Sequence, residues 1–168
     1  MKTATVHELK KELKTRSESE LIEICLKLSK FKKENKELLT YLLYEASNEH
    51  QYILNVKNEI DLQFLEINKS TPYFIKKSVR KIQRQTKKFI RYSKQKETEV
   101  ELLLHFCHQL KYMTPSIFRN AVLTNIFHRQ VEAVTKKVEA LHEDLRFDYQ
   151  REIEDLMDSE NMLFLQNN

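Results

Sequence analysis

Residues 71–96 have the sequence TPYFIKKSVRKIQRQTKKFIRYSKQK, which joins a helix start to a dense positive charge. Thr71 can cap the helix, and Pro72 suits its first position because the fixed φ of proline is already helical. At about 100° per residue, one stripe of the helix is largely apolar. It holds Ile75, Val79, Ile82, Thr86, Phe89 and Ile90. The stretch therefore predicts an amphipathic helix, 72–93, whose apolar side packs on the rest of the protein.

The opposite side of this helix is cationic. Residues 71–96 contain ten Lys and Arg and no acidic residue. We define the cationic face by eight of them: Lys76, Lys77, Arg80, Lys81, Arg84, Lys87, Lys88 and Arg91. Such a face can bind phosphates as counter-charges, with Tyr73, Phe74 and Tyr92 as stacking groups for single strands. It can equally be a solvated helix face, and the narrow apolar stripe makes a membrane surface the poorest fit.

The composition of the whole chain indicates an all-α fold. Gly is absent and Pro occurs twice among 168 residues, so tight turns and Gly-rich phosphate loops lack their usual residues. Apolar residues make up 40% of the chain, which is enough for a core. We expect a single domain, 1–168, of about six or seven helices, in one bundle or a short HEAT/armadillo-like solenoid. Its expected parts are N-terminal helices in 1–46, central helices in 49–113, a long C-terminal helix or helix pair in 115–158, and a tail in 159–168.

The solenoid alternative depends on a possible repeat. Thr114 and Pro115 repeat the pair Thr71 and Pro72 after 43 residues, and HEAT and armadillo repeats span about 40 to 47 residues. A common helix start used twice explains the same pattern. Both explanations stay open.

A heptad seam follows the second Thr-Pro pair. Its apolar residues are spaced alternately four and three apart, at Phe127, Val131, Val134, Val138, Leu141 and Leu145. The seam is under about three heptads long, so a helix hairpin inside the domain and a coiled-coil homodimer both fit. No Gly or Pro follows Pro115, which allows one long helix, and a departure from the seam at 147–150 predicts a break there.

Opposite charges segregate along the chain. Residues 67–96 hold eleven basic and no acidic residues, whereas residues 139–168 hold nine acidic and two basic ones. The acidic segment can cover the cationic face, or it can leave that face open to a ligand. Its residues that could face the cations are Glu152, Glu154, Asp155 and Asp158.

A small polar cluster is the minority candidate for a metal site. Glu101, His105 and His108 lie at i, i+4 and i+7 on one helix face and could offer up to three ligands. A solvated face explains them as well, and no HExxH motif is present. Cys107 points into the apolar stripe, away from both His, so the spacing supplies no nucleophile with its base. We expect no metal, no cofactor and no enzymatic activity, with a metal-dependent enzyme as the minority alternative.

The location follows by elimination. No segment approaches the roughly 18 uninterrupted apolar residues of a membrane span, and the N-terminal sequence MKTATVHELKKELK lacks the apolar core of a signal peptide. We expect a cytoplasmic protein without a membrane partner.

The opening residues carry a first resemblance. Two capping boxes, Thr5 with Glu8 and Ser17 with Glu20, predict two consecutive helix starts. The sequence TVHELKKELKTRSESELIEICLKL, 5–28, resembles a SAP-type DNA-binding motif, in which a helix of the pattern TVxELKxxLKxR precedes a second helix with ELIE. The resemblance implies a DNA contact near the N-terminus.

A larger part of the chain is similar in layout to an uncharacterised all-helical family of bacterial proteins. The shared features are HELKKELK at 7–14, ELIE at 20–23, KNEI and FLEIN within 57–68, a Lys-rich helix beginning near a Pro, and ELLLHF at 101–106. This resemblance implies an α-helical fold without an assigned activity.

These features together predict a non-enzymatic binding or adaptor module. The cationic face is its expected contact surface, with nucleic acid as the preferred ligand and an acidic protein as another. The alternative is a structural or protein-interaction module that assembles through the heptad seam. In that case the cationic face is solvated or paired to the acidic C-terminus, and the protein is a monomer or a homodimer.

Overall fold

The computed structural model describes the backbone of residues 2–165 and the side chains of residues 2–157. All regular elements in this range are helical, which confirms the all-α prediction. There are eight α-helices among these residues, where about six or seven were expected from the pattern. They are α1 Val6–Leu13, α2 Glu18–Phe31, α3 Lys33–Thr40, α4 Glu49–Leu65, α5 Pro72–Ser93, α6 Lys96–Tyr112, α7 Ala121–Val138 and α8 Glu143–Leu165. A π-helical turn, Tyr41–Glu45, follows α3, and a 3₁₀ turn, Ile117–Arg119, precedes α7.

Within the described residues, none of the helices is long and apolar enough to cross a membrane. The chain divides into two compact units, Met1–Ala46 and Ser47–Asn168, which we term the N-terminal unit and the C-terminal unit. The single domain stays a prediction.

The N-terminal unit begins with the two predicted capping boxes. The Thr5 hydroxyl accepts from the Glu8 amide at 3.3 Å, and the Glu8 carboxylate accepts from the Thr5 amide at 2.7 Å. Ser17 and Glu20 form the same reciprocal pair at 3.3 and 2.8 Å. These bonds satisfy amides that a helix start otherwise leaves unpaired, and they fix the first residues of α1 and α2.

The same unit buries little apolar surface. Tyr41 is its one buried residue in the described range, while Val6, Phe31 and Leu43 are among its exposed apolar side chains. A shallow apolar groove of ≈ 290 Å³ lies between α2 and α3. This unit therefore has well-defined helix starts but little core of its own.

The C-terminal unit is built around α6. That helix packs against α4, α5 and α7, and α8 packs against α7. Leu102, Phe106 and Leu110 of α6 are at most 1% exposed, and each such side chain contributes about 1.5–3 kcal/mol when it leaves water. Contacts on several sides explain why α6 buries more residues than the stripe Val100, Leu103, Cys107 and Leu110 that its spacing indicates.

Helix α5 has the predicted start and the predicted apolar stripe. The Thr71 hydroxyl accepts from the Phe74 amide at 3.4 Å, and Pro72 is the first helical residue. The whole stripe is buried except Phe89, which is half-buried. The helix ends at Lys94, whose φ of 59° is left-handed. Helices commonly end with a residue in this conformation, and that residue is usually Gly, which this chain lacks.

The second Thr-Pro pair does not start a helix, which corrects the expectation from Thr114 and Pro115. Helix α6 ends at Tyr112, and α7 begins six residues after Pro115 at Ala121. The side chain of Asn120 caps α7 by accepting from the amides of residues 122 and 123, at 3.1 and 3.3 Å. The two Thr-Pro pairs therefore have different structures, which removes the observation that favoured a repeat.

The C-terminal segment is a helix pair rather than one long helix. The break falls at 139–142, not at the expected 147–150, which lies inside α8. Leu141 is buried in the turn, and its carbonyl accepts from the Arg146 guanidinium at 3.2 Å. The predicted tail, 159–168, is helical as far as residue 165, and its side chains lie outside the described residues.

Candidate nucleic-acid interface

The buried side of α5 is held by hydrogen bonds as well as by apolar contacts. The Tyr52 hydroxyl of α4 donates to the carbonyl of Phe89 at 2.9 Å. At the end of α5, the hydroxyls of Ser93 and Thr98 both donate to the Glu49 carboxylate, the second at 2.5 Å. Because α4 and α6 fix the helix in this way, the direction of its opposite side is fixed too.

The cationic face is on that opposite side. Six of its residues are exposed, Lys77, Arg80, Lys81, Arg84, Lys87 and Arg91, and Lys76 and Lys88 are half-buried. The ammonium group of Lys88 lies over the Phe89 ring, 5.3 Å from its centre. The other seven form no ion pair with any residue whose side chain the structure describes.

The acidic segment makes its described contacts elsewhere. Glu152 pairs with His108 of α6 at 3.2 Å, and the Leu156 carbonyl accepts from Lys111 of α6. Glu154 and Asp155 are exposed, and Asp158 lies outside the residues whose side chains are described. As far as residue 157, the segment therefore lies along α6 and α7, and seven cations of α5 remain without an acidic partner.

A groove of ≈ 520 Å³ runs along the first half of α5. Its lining consists of Tyr73, Lys76, Lys77, Arg80, Gln83, Arg84 and, from the first turn of α7, Val122. Tyr73 is 63% exposed at one end of the groove and meets the Phe74 ring edge-on at 5.5 Å. The groove thus offers a row of positive charges and one accessible aromatic ring.

Tyr92 differs from the other two aromatic residues proposed for stacking. It is 8% exposed, and its ring packs against Phe89 at 6.2 Å. Because a base must reach a face of the ring to stack on it, buried Tyr92 is unsuitable, and this part of the prediction is wrong.

Sequence reasoning missed a second cavity, which lies between α5, α6 and α7. We term it the three-helix pocket; its volume is ≈ 360 Å³ and its lining is Lys87, Ile90, Arg91, Glu99, Leu103, Gln130, Ala133 and Lys137. Lys87 and Arg91 belong to the cationic face, but Gln130 and Lys137 lie 39 to 50 residues further along the sequence. No spacing rule connects them, because only the packing of α7 on α6 brings them together.

The three residues proposed as metal ligands are each bound to a different partner. The Glu101 carboxylate accepts from Lys57 of α4 and, at 2.7 Å, from the Tyr149 hydroxyl of α8. His105 meets Asp61 at 2.5 Å, and His108 meets Glu152. No group of three or more possible ligand residues converges in the described part of the chain.

These contacts change two pKa values. Burial raises the pKa of Glu101, but hydrogen bonds from Lys57 and Tyr149 together with the Lys57 charge outweigh it, so the net pKa lies below the usual value. Burial is the largest cause of the raised pKa of Tyr149, and the hydrogen bond to Glu101 raises this pKa further. The carboxylate and the phenol are therefore held in the ionised and neutral forms that their bond requires.

Cys107 is fully buried in α6, and burial raises the pKa of its thiol to about 12. Since the thiolate is the nucleophilic form, this thiol is inert near neutral pH. His105 and His108 bond to groups on α4 and α8 instead.

The heptad seam is covered within a single chain. Phe127, Val134 and Val138 are fully buried, Val131 and Leu141 are at most 9% exposed, and Leu145 is half-buried. Helix α7 carries most of these residues and packs against α6 and α8. Packing within one chain therefore buries five of the six seam residues, and the homodimer stays a prediction.

Comparisons with known proteins identify no related protein. No protein-family model, no curated protein and no solved structure matches this chain. The resemblances to the SAP-type motif and to the helical bacterial family stay predictions.

Proposed function

We propose that the protein is a nucleic-acid-binding module whose contact surface is the cationic face of α5. One observation carries the proposal: seven Lys and Arg side chains point away from a rigidly packed helix and have no acidic partner among the described side chains. Phosphates are the natural counter-charges for such an array, because their binding releases condensed counterions.

The unpaired charges have an energetic cost in the free protein. Lys76, Arg80 and Arg84 follow one another at intervals of four, as do Lys87 and Arg91. Like charges at this spacing destabilise a helix by about 0.2–0.5 kcal/mol per pair. A polyanion removes this repulsion when it binds, so the face is better suited to the bound state than to the free one.

The dimensions and the aromatic ring favour a single strand. The face extends about 22 Å from Lys76 to Arg91 at 1.5 Å per residue, which is long enough to follow several successive phosphates. Tyr73 lies exposed at one end of the groove, where a base could stack on it with a gain of about 1–3 kcal/mol. A duplex keeps its bases stacked inside and would gain nothing from this ring.

The test is binding of mixed-sequence oligonucleotides of about 16 nucleotides, single-stranded and duplex, measured by fluorescence anisotropy. The comparison uses about 50 and about 200 mM salt. The informative variant is Arg80→Gln with Arg84→Gln. Its matched control is Lys32→Gln with Lys36→Gln, which removes two exposed charges from the N-terminal unit.

The wild type is expected to bind the single strand more tightly than the duplex, and more weakly at the higher salt. The α5 variant should lower the salt slope by about 1.4, since each phosphate contact on a single strand contributes about 0.7. The control variant should bind like the wild type. The proposal is contradicted if no oligonucleotide binds at low salt, or if the two variants lose equal oligonucleotide affinity. Binding to acidic proteins alone would assign the cationic face to that class of ligand.

A further inference from the structure

The three-helix pocket differs from the open groove along α5, because it has a floor. Ile90, Leu103 and Gln130 line it from three different helices, and each is at most 9% exposed. A ligand must therefore enter from the solvent side and end inside. Its volume of ≈ 360 Å³ suits a small group rather than a continuous strand.

The charges around the pocket add up to a net positive value. Lys87 and Arg91 are exposed and unpaired with any described residue. Lys137 forms an ion pair with Glu99 at 3.1 Å. Three cations and one carboxylate leave a net charge of about +2, which matches a phosphate monoester near neutral pH, with a charge of about −1.5 to −2.

Gln130 supplies an independent observation. Its side chain is 4% exposed, it lines the pocket, and its Oε1 accepts no hydrogen bond from the described residues. A buried amide without a partner is costly, so such groups normally bind something. The NH₂ group of the same amide can donate to a phosphate oxygen in the pocket.

We propose that the three-helix pocket binds one phosphate monoester, with Lys87, Arg91 and Lys137 as counter-charges and the Gln130 amide as the donor at its floor. A monoester fits this pocket because it has three free oxygens, which can face the lining, and one ester substituent, which can extend to solvent through the open side. A phosphodiester within a strand continues in two directions and has less charge. The monoester can belong to a free nucleotide or to the phosphorylated end of a strand.

The first experiment is calorimetric titration of the full-length chain with a nucleoside 5′-monophosphate. Inorganic phosphate and the unphosphorylated nucleoside serve as comparison ligands. The monophosphate and inorganic phosphate are expected to bind, and the nucleoside is not. Oligonucleotides with and without a 5′-phosphate then distinguish the two sources: tighter binding of the phosphorylated strand assigns the pocket to strand ends, and equal binding assigns it to free monoesters.

The second experiment uses variants of the lining. Arg91→Gln and Lys137→Gln should each weaken monophosphate binding about tenfold, the usual effect of losing one charge-assisted hydrogen bond. Lys81→Gln is the matched control, because it removes a charge from α5 that lines neither cavity. Glu99→Gln should strengthen binding, since it removes the one negative charge of the lining.

Gln130→Leu separates the binding role from simple packing. The substitution replaces the unpaired amide by an apolar side chain, so the fold should be at least as stable. Monophosphate affinity should nevertheless fall several-fold. Three results would overturn the proposal. Gln130→Leu could bind the monophosphate with full affinity, Arg91→Gln and Lys81→Gln could lose equal affinity, or the wild type could fail to bind the monophosphate.

The pocket and the proposed interface can fail separately. Arg80→Gln with Arg84→Gln should weaken oligonucleotide binding while leaving monophosphate affinity unchanged, because neither residue lines the pocket. A protein that binds the monophosphate but no oligonucleotide contradicts only the proposed function, and the reverse result contradicts only the pocket.

Discussion

Helices α5 and α6 are neighbours that both have charged faces, but the two faces differ in whether their side chains bond to other helices. On α6, Glu101 bonds to α4 and α8, His105 to α4, and His108 to α8. On α5, seven of the eight residues of the cationic face have no ion pair among the described side chains. The charges of α6 connect helices, whereas those of α5 face solvent.

The position of each helix explains this difference. Helix α6 is central, so its polar side meets the polar sides of α4 and α8. Within the C-terminal unit, helix α5 packs against α4 and α6, which cover its apolar side. A charged helix face is therefore an architectural element where another helix covers it, and a candidate binding surface where none does.

The largest expected effect comes from breaking the pairing on α6. Glu101→Ala removes the acceptor of both half-buried Lys57 and buried Tyr149, and should cost about 1–3 kcal/mol of unfolding free energy. Arg84→Ala, the control on α5, should change stability by no more than about 0.5 kcal/mol. Urea unfolding followed by circular dichroism measures both. Equal losses in the two variants would mean that the faces are not energetically different.

A smaller effect is expected from pH. The pKa of Glu101 is lowered in the folded protein, so its ionised form stabilises the fold above the usual carboxyl pKa. That contribution is lost as pH falls through the folded-state pKa. The unfolding free energy of wild type should therefore exceed that of Glu101→Gln at about pH 7, and the difference should shrink towards about pH 3. A constant difference across this range would show that the charge of Glu101 contributes nothing.

The smallest expected effect is a gain in stability on α5. Arg80→Glu replaces repulsion from Lys76 and Arg84 with two ion pairs at a spacing of four, each worth about 0.2–0.5 kcal/mol. The thermal midpoint should rise slightly, while oligonucleotide binding should be strongly reduced. A variant that loses both stability and binding would indicate that Arg80 has a structural role, and one that retains binding would place the ligand elsewhere.

Local features of the fold were predictable from sequence. Thr71 and Pro72 start α5, and the capping boxes at Thr5 and Ser17 start α1 and α2. These features depend on residues within one helical turn of each other, so the sequence contains all the interacting groups. The buried stripe of α5 was predictable for the same reason, because the helical period alone brings its residues to one side.

Non-local features were not predictable in this way. Thr114 and Pro115 have the same local signal as Thr71 and Pro72, but α7 begins at Ala121, with Asn120 as its cap. Tyr92 was expected to be accessible and is buried beside Phe89. Both outcomes depend on which other helix lies against the residue, and helical periodicity contains no information about that.

The candidate site shows the same division. Its eight cations and their common helix face are properties of residues 71–96, and the sequence by itself determined them. Tertiary structure alone decided that seven of these cations have no described acidic partner, that the acidic segment lies along α6 and α7 as far as residue 157, and that Gln130 and Lys137 complete a pocket with Arg91. The physical reason is that a residue's helix face is set by its local spacing, whereas its partners are set by contacts between segments more than 40 residues apart.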